Sequence, residues 1–552
     1  MSTKSESNEV PTSENQLAGS GLRPAAVQPV TVRAAVDRLP AALRDVAAAP
    51  GTGDGAWATE LTGLTINSRE VRPGDLYVGV AGARHHGARF AQAAEAAGAA
   101  AVLTDAAGLA EMGSPGIPVF VAGDVRRLVG PLAAAVFDSV PAQGRRPALF
   151  GITGTNGKTT TSYFLNSLLQ ALGRTTGLIG TIEIQAGAES IPSVLTTPES
   201  PQVHGLLALM RERGLDAATM EVSSHAIAYR RVDGVRFDVA GFTNLTQDHL
   251  DLHGSMEEYF AAKAALFQPD RSRQAVITVD DEWGARMAAS AGVPVLTLAT
   301  DGADHGADWN VTDVEPRGLG HSFVLRGPAG EKLRVSTALP GGFNVSNAAL
   351  ATVMVRAAGV PAADLQEALA AHDPFTVEVP GRMQLIGEAP AAIVDFAHNP
   401  DALTRTLASV RRPDADARVI VVFGATGERD QTKRPLMGAI AARLADVVIV
   451  TDDDPHGEDA GAIRADVRRG ADAAATDEGL DCVIEEVAPR AAAIDRAVEL
   501  ARPQDTVLVA GRGHEVWQEV MGENLALDDR VELRHALTRY GFSALTSDGV
   551  ES

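Results

Sequence analysis

The sequence predicts an α/β protein of several domains with largely parallel sheets. An apolar segment at 148–153 is followed by a glycine-rich loop and then by a stretch from Lys158 whose apolar residues recur every three or four positions, which predicts strand, loop and helix. From residue 381 onward, apolar segments alternate with helical stretches, and polar residues follow each segment. That alternation is typical of a parallel sheet covered by helices. At 552 residues the chain is long enough for three or four domains.

Composition and charge exclude several classes of protein. The 71 acidic and 48 basic side chains give a net charge of −23, which argues against a general nucleic-acid or anionic-membrane binder. Cys482 is the only cysteine, so an intrachain disulfide or a cysteine metal cluster is excluded. The sequence has no apolar run of membrane-spanning length and no signal-peptide pattern. We therefore expect a soluble, cytoplasmic protein without membrane insertion, and a monomer.

The first part of the chain divides into a tail and a small domain. Residues 1–28 are polar and predict a disordered tail without assigned function. Residues 29–145 form the first domain, where two apolar runs flank Pro73-Gly74-Asp75 and predict strand, turn and strand. Ser68, Arg69 and the loop at 82–87 are suited to holding a diphosphate or uridine. A surface turn is the alternative, and composition alone favours it.

The loop from Gly154 to Thr159 predicts a nucleotide-phosphate site. Glycines let backbone N–H groups converge on a phosphate, and the helix that follows directs its positive end at the same anion. Lys158 neutralises the outer phosphates, and a hydroxyl can join the shell of a magnesium ion. Ile152 stands where the strict phosphate-loop pattern has glycine. A simple glycine turn with a surface lysine is the alternative.

The central domain, predicted at 146–380, has polar groups at its strand ends. Strands at 217–221 and 239–242 run into clusters that contain Glu221 and His249, candidates for magnesium, although His249 alone reads as a loop residue. Periodicity alone predicts that Lys263 extends from its helix to water. Asn344 and Asn347 open a helix and either read an adenine or ribose edge or cap that helix.

The last domain, predicted at 381–552, has strand candidates at 393–395, 419–423, 447–451 and 506–510. Polar loops follow all of them. The carboxyl ends of parallel strands lie at one edge of a sheet, so these loops predict a substrate pocket there.

The motifs together resemble the Mur ligases of peptidoglycan synthesis, and among them the UDP-N-acetylmuramoyl-tripeptide synthetases. They are the phosphate loop, Glu-Val-Ser-Ser-His, Thr-Asn-Leu-Thr-Gln-Asp-His-Leu-Asp, Asn-Val-Ser-Asn, Asp-Phe-Ala-His-Asn-Pro, Lys-Arg-Pro-Leu-Met-Gly and Gly-Arg-Gly-His-Glu. The resemblance covers about residues 55–540. It implies a UDP-binding N-terminal domain, a central ATPase domain and a C-terminal Rossmann-like domain that binds the incoming amino acid. It also implies Mg²⁺ and the co-substrate ATP.

The resemblance assigns residues to each substrate. Those implied for ATP are Gly154, Thr155, Asn156, Gly157, Lys158, Thr159, Thr160, Asn344, Asn347, Arg382 and Asp395, with His398 at a domain-closure position. Those implied for UDP-N-acetylmuramoyl-L-alanyl-D-glutamate are Ile66, Ser68, Ala83, Arg84, His85, Thr196, Thr197, Ser223, Tyr229 and Arg231. Tyr229 departs from the family pattern, which often has Gln. Those implied for the amino acid are Arg429, Asp453, Asp454, Pro455, His456, Gly511 and Glu515.

The resemblance also implies a metal set and a mechanism. Thr159, Glu221, His249 and Lys263 match magnesium positions, with Lys263 as a carbamate (N6-carboxylysine), which reverses the expectation that it reaches water. Lys158, Glu221, His249 and Lys263 are the implied catalytic set. The D-glutamate γ-carboxylate attacks the γ-phosphate of ATP, and an amine then displaces phosphate from the acyl phosphate.

One departure bears on the amino acid. Relatives that add meso-diaminopimelate usually carry Asp-Asn-Pro-Arg, whereas this chain has Asp453-Asp454-Pro455-His456. Losing the arginine and gaining a carboxylate favours a terminal ammonium over a terminal carboxylate. We expect L-lysine, or ornithine, with meso-diaminopimelate as the alternative. A folylpolyglutamate-synthetase-like ligase and a non-ligating ATP-binding protein are remoter alternatives.

Overall fold

The structure is a computed structural model that describes residues 22–82, 85–141, 144–412 and 416–545. The described part of the predicted tail corrects its length. Leu22 is buried, Arg23 Nη1 donates to Asp75 Oδ2 at 2.9 Å, and Glu212 accepts from the backbone N–H groups of Ala25 and Ala26. Residues 22–28 are therefore ordered by these contacts, and residues 1–21 lie outside the described residues.

The N-terminal unit is a sheet with helices packed on it. Its strands lie in the order Val46–Ala48, Val119–Ala122, Ala101–Thr104, Asp75–Val78 and Gly63–Thr65. All neighbours are parallel except the first pair. The two strands beside the Pro-Gly-Asp turn are thus parallel neighbours. A short pair, Val30–Thr31 and Glu60–Leu61, adjoins the sheet. The α-helices are Val32–Asp37, Ala91–Ala96, Ala106–Glu111 and Val125–Phe137.

The central unit has a long sheet whose middle strands are parallel. The strands lie in the order Glu189–Pro192, Glu183–Ala186, Thr176–Ile179, Ala217–Glu221, Ala148–Thr153, Val239–Phe242, Ala275–Thr278, Val295–Ala299, Trp309–Arg317, Gly320–Arg326 and Lys332–Thr337. Antiparallel pairs at both ends extend the parallel strands. The α-helices are Lys158–Ala171, Ser200–Glu212, Ser224–Ala228, Leu250–His253, Met256–Ala264, Glu282–Ser290, Gly342–Ala357 and Ala362–His372.

Apolar residues on both faces of the central sheet form separate cores. Phe164 and Leu168 join Val345 on one face, and Val203 and Leu207 pack on the other. With both faces covered, the polar carboxyl ends of the parallel strands are what remains open to ligands.

The C-terminal unit repeats this plan on a smaller scale. Its strands lie in the order Gln384–Glu388, Ala391–Asp395, Thr506–Ala510, Val419–Phe423, Val447–Val450 and Val483–Glu486, antiparallel only at the first pair. Its α-helices are Pro400–Val410, Lys433–Leu444, Ala460–Glu478, Arg490–Leu500 and Asp529–Arg539. A hairpin of Trp517–Val520 and Glu523–Ala526 was not predicted. Short 3-10 turns lie at Ala41–Leu43, Asp54–Ala58, Gly87–Phe90, Ala265–Phe267, Pro328–Gly330 and Pro374–Thr376.

The predicted three-domain α/β class and its parallel sheets are confirmed by this arrangement. The boundaries at 145/146 and 380/381 stay a prediction.

Candidate active site

The glycine-rich loop joins strand Ala148–Thr153 to helix Lys158–Ala171. Gly154 and Gly157 have φ of +150° and +87°, a region that favours glycine. A Cβ at Gly154 would collide with Thr243 Oγ1, and one at Gly157 with Asn347 Oδ1. Lys158 Nζ donates to the carbonyls of Gly154 and Thr155 at 3.1 and 2.9 Å. The loop therefore has the tight backbone and the cation that a phosphate site requires.

Glu221, at the end of strand Ala217–Glu221, connects this loop to its neighbours. Its carboxylate is fully buried, and Oε2 accepts from the hydroxyls of Thr159 and Thr181, both at 2.9 Å. The backbone N–H of Thr181 donates to Oε1 at 2.9 Å. Oxygen donors of this kind suit Mg²⁺.

Lys263 is buried beside the phosphate loop. Its side chain in helix Met256–Ala264 donates from Nζ to Gly154 O at 2.7 Å. Burial, and then the charge of Lys158, hold the pKa of Lys263 well below its usual value. The expectation from periodicity that this lysine reaches water is wrong, because its helix face turns toward the loop.

His249 and Asp248 follow strand Val239–Phe242. Burial lowers the pKa of His249, and the charge of Asp248 only partly opposes this. Burial alone would raise the pKa of Asp248, but the charges of His249 and His398 hold it below the usual range. The His249 ring is accordingly neutral near pH 7 and meets that of His225 edge-on, with centroids 4.7 Å apart.

A cavity of about 690 Å³ lies between the central and C-terminal units. It brings together most of the residues predicted for ATP, and some of those predicted for the UDP-linked substrate and for the amino acid. The predicted residues that line it are Thr155, Asn156, Gly157, Lys158, Thr159, Thr160, Thr196, Ser223, Arg231, His249, Asn344, Asn347, Arg382, Asp395, His398, Arg429 and Glu515.

Other predicted residues lie outside the cavity wall. Thr197 is fully buried and its hydroxyl donates to Glu221 O at 2.8 Å, so this side chain supports the strand end, and its contact with the substrate stays a prediction. Tyr229 is exposed and its ring lies 5.7 Å from the Arg231 guanidinium. Ile66, Ser68 and His85 belong to the N-terminal unit, away from this cavity. Ala83 and Arg84 lie outside the described residues.

The predicted amino-acid loop lies next to Glu515. Asp453 is buried: its Oδ1 accepts from Thr426 Oγ1 at 3.1 Å, whereas Oδ2, close to Gly511, has no hydrogen-bond partner among the described residues. Asp454 pairs with the fully buried Arg512. Pro455 precedes His456, whose Nδ1 lies 2.9 Å from Glu519 Oε2 in the unpredicted hairpin.

Carboxylates and buried arginines lie together around this loop. Burial alone would raise the pKa of Asp453, but the charges of Arg490 and Arg512 hold it below its usual value. Burial, and then the charge of Asp453, raise the pKa of Glu515 to about 8, although Arg512 opposes the shift. Burial and Asp453 also raise the pKa of Asp454. Asp453 therefore stays ionised and has one oxygen without a partner among the described residues, which suits a cationic ligand group.

Sequence reasoning missed several residues at the site. Thr181 lies just after strand Thr176–Ile179, and this position at a strand end was the sequence signal that could have identified it as a site residue. Asp248, Asn244 and His514 also line the cavity. Asn399 and Asp401 make contacts across the two units. No local pattern marks such contacts, because their partners lie more than two hundred residues away.

Models of known families match three stretches of the chain: the Mur ligase family catalytic domain at 60–137, the Mur ligase middle domain at 152–355 and the Mur ligase glutamate ligase domain at 381–513. A relative from Streptomyces avermitilis, named UDP-N-acetylmuramoyl-L-alanyl-D-glutamate--2,6-diaminopimelate ligase, is 45% identical over 87% of this chain and 92% of its own length. The chain belongs to the Mur ligase family.

Two further Mur ligase comparisons agree. A protein of Leifsonia xyli subsp. xyli, named UDP-N-acetylmuramyl-tripeptide synthetase, is 45% identical over 88% of this chain and 93% of its own length. A solved structure of a UDP-N-acetylmuramoyl-L-alanyl-D-glutamate--2,6-diaminopimelate ligase has a TM-score of 0.61 and 30% identity, and the match covers 94% of this chain and all of that one. The predicted family is thus confirmed. In the described part of the chain, no helix is long and apolar enough to cross a membrane.

Proposed function

We propose that this Mur ligase joins a diamino acid to the D-glutamate of UDP-N-acetylmuramoyl-L-alanyl-D-glutamate, with cleavage of ATP to ADP and phosphate. One observation carries the proposal: a single cavity is lined by the phosphate loop with Lys158 on one side and by Arg429 and Glu515 of the C-terminal unit on the other. Phosphate and amino acid can therefore meet there. The names of the relatives support the same reaction.

The residues of the chain have distinct tasks in this reaction. Lys158 neutralises charge on the γ-phosphate while the glutamate γ-carboxylate attacks it, forming a C–O–P linkage and releasing ADP. The amine then attacks the acyl carbon, the C–O bond to phosphate breaks, and the nitrogen loses a proton. Positioning and charge neutralisation carry the rate, and exclusion of water protects the acyl phosphate.

The donor set beside the loop fits Mg²⁺. Thr159 and Glu221 would hold the ion, with His249 and a carbamylated Lys263, and it would supply neutralisation of phosphate charge. Burial lowers the pKa of Lys263 and so favours the uncharged amine, which is the form that adds CO₂, with loss of one proton, to become a carbamate. Carbon-13 NMR with labelled bicarbonate tests this, because Lys263→Arg should lose a carbamate signal that the parent protein shows.

We propose that the N-terminal unit binds the UDP end through Ile66, Ser68 and the loop at 83–85. Thr196, Ser223 and Arg231 are proposed to contact the dipeptide end. The cytoplasmic location and monomeric state stay predictions.

For the amino acid we favour L-lysine or ornithine. Among the described residues, Asp453 has a buried oxygen without a hydrogen-bond partner, Asp454 is paired with Arg512, and Glu519 contacts His456. Residues 453–456 offer no cation to a second carboxylate on the substrate, whereas Arg429, which lines the cavity, keeps the alternative open. The alternative is meso-diaminopimelate, which the name of the Streptomyces avermitilis relative favours.

Phosphate release with ATP, Mg²⁺ and UDP-N-acetylmuramoyl-L-alanyl-D-glutamate tests the function, with L-lysine, L-ornithine or meso-diaminopimelate added separately. We expect release that depends on L-lysine or ornithine. The double variant Asp454→Asn with His456→Arg should shift the preference toward meso-diaminopimelate by roughly tenfold or more. Release with meso-diaminopimelate alone would overturn the lysine assignment, and release independent of any amino acid would overturn the ligase.

A further inference from the structure

A pair of side-chain amides joins the phosphate loop directly to the C-terminal unit. Asn156 Nδ2, in the loop, donates to Asp401 Oδ2 at 3.0 Å, and Asn399 Nδ2 donates to Asn156 Oδ1 at 3.1 Å. Asn399 and Asp401 lie at the start of helix Pro400–Val410. One helix end thus contacts both ends of one amide.

The two partners use opposite hydrogen-bonding groups of the Asn156 side chain. Asn399 offers a donor and Asp401 an acceptor, so a single orientation of the Asn156 amide satisfies both. Asn399 is itself buried: its Nδ2 also lies 3.3 Å from Asp248 Oδ2, while its Oδ1 caps the helix by accepting from Ala402 N at 2.9 Å. The arrangement is specific to the present placement of the two units.

Asn156 is anchored in the loop through its main chain. Its N–H donates to Asn244 Oδ1 at 3.0 Å, and its carbonyl accepts from Thr243 Oγ1 at 2.7 Å. The next two residues, Gly157 and Lys158, line the cavity where phosphate is proposed to bind. A change of loop conformation on phosphate binding would therefore move the amide that the C-terminal helix contacts.

We propose that Asn399 and Asp401 are positioning residues that latch the C-terminal unit onto the phosphate loop, so that the amino-acid site closes over the nucleotide site. We call Asn156, Asn399 and Asp401 the latch. The inference rests on the proposed ligase function, because closure matters when an acyl phosphate must meet an amine before water does. A weakened latch lets acyl phosphate hydrolyse, and phosphate release then exceeds amide formation.

Two single variants break the latch and two serve as controls. Asp401→Leu removes the acceptor, whereas Asp401→Asn keeps an acceptor oxygen. Asn399→Ser removes the amide donor but keeps a side chain that caps the helix. Thr404→Ala alters the same helix at an exposed residue whose hydroxyl bonds only within the helix, to Pro400 O.

The first measurement is the ratio of phosphate released to amide formed with the amino acid that supports ligation. The parent protein and the two controls, Asp401→Asn and Thr404→Ala, should keep a ratio of phosphate to amide near one. Asp401→Leu and Asn399→Ser should raise this ratio severalfold, because amide formation falls roughly tenfold. A protein that is merely less stable would lose both products together. Equal ratios in all variants would overturn the latch.

The second measurement does not depend on ligation. Energy transfer between dyes on Ala303→Cys and Ala473→Cys, in a Cys482→Ser background, reports closure when Mg·ADP is added. Asp401→Leu and Asn399→Ser should lose at least half of the nucleotide-dependent change, and an unaltered change would overturn the latch. If no amide forms with any amino acid, the proposed function fails, while this readout still decides the latch.

Discussion

The two junctions between the units of this Mur ligase are built differently. Where the N-terminal unit meets the central one, Gly130 lies so close to the carbonyl of Asp233 that any side chain would collide with it. Buried His204 bridges the same junction, with Nδ1 2.7 Å from Ser139 Oγ and Nε2 2.9 Å from Asp233 O. Where the central unit meets the C-terminal one, hydrogen bonds between side-chain amides and carboxylates lie beside a cavity, and Phe343 packs against the C-terminal core.

The difference separates a fixed joint from a reversible one. Close-packed backbone cannot part slightly without losing its contacts, because dispersion falls steeply with distance. Side-chain hydrogen bonds at the edge of a cavity exchange with water at modest net cost. We therefore expect the first junction to govern stability and the second to govern turnover.

The largest effect should come from Gly130→Val. The new side chain must displace the backbone of Asp233, which outweighs the better helix propensity, and we expect a loss of about 3 kcal/mol in the free energy of unfolding. Gly123→Ala, where a Cβ meets nothing within 4 Å, is the matched control and should be nearly neutral. Denaturant unfolding measures both. A stable Gly130→Val would show that the joint is not tight.

His204→Leu should cost about 2 kcal/mol, because Ser139 Oγ and Asp233 O lose their partner. Burial lowers the pKa of His204 from 6.5 to about 4, so the unfolded chain binds the extra proton first as pH falls. Stability should therefore decrease from pH 6.5 toward 4 by about 1.4 kcal/mol per unit from this group, and be unaffected by it above 6.5. Melting temperatures of the parent and His204→Leu across this range test the sign; parallel curves would refute it.

At the second junction, acid–base change should alter binding more than folding. With a pKa of about 8, Glu515 is mostly neutral at pH 7, and in the proposed function it must ionise to hold an ammonium group. Affinity for the diamino acid should rise roughly tenfold between pH 6.5 and 7.5, with proton release on binding. Titration calorimetry in buffers of different ionisation enthalpy measures both, and Glu515→Gln should flatten the profile. A flat profile in the parent would contradict this.

The smallest expected effect is on amide hydrogen exchange and not on the free energy of unfolding. Addition of Mg·ADP should slow amide hydrogen exchange at 243–248 and 396–402, with little change at 125–137 and 230–235. Exchange followed by mass spectrometry measures this. Equal protection at both junctions would remove the distinction between them.

The sequence predicted the central architecture because local signals were strong. The predicted strands at 148–153, 239–242 and 506–510 have the same bounds in the structure, since each is a mostly apolar run followed by polar or glycine residues. The antiparallel strands that extend the central sheet from Trp309 to Thr337 were not predicted. Their partly exposed sequence carries a weaker pattern.

The site was harder to predict than the fold. Motifs singled out Lys158 and Glu221, which lie close together in the structure, because each motif is local to one loop or one strand end. Periodicity alone misplaced Lys263, since its spacing is that of an ordinary helix lysine, and the family resemblance was what put it at the site. Two kinds of contact could not be predicted: those of Asn399 across the junction and that of Glu519 with His456. Both depend on how distant segments pack together, and residue spacing along the chain does not reveal that.

The fixed first joint also sets a length. If the UDP end of the substrate is held in the N-terminal unit and the reacting carboxylate beside Lys158, the rigid span between them acts as a ruler. A precursor one residue shorter would leave its carboxylate short of the phosphate, and one already extended would overshoot it. Order of assembly in a growing peptide would then be enforced by distance, before any side chain is read.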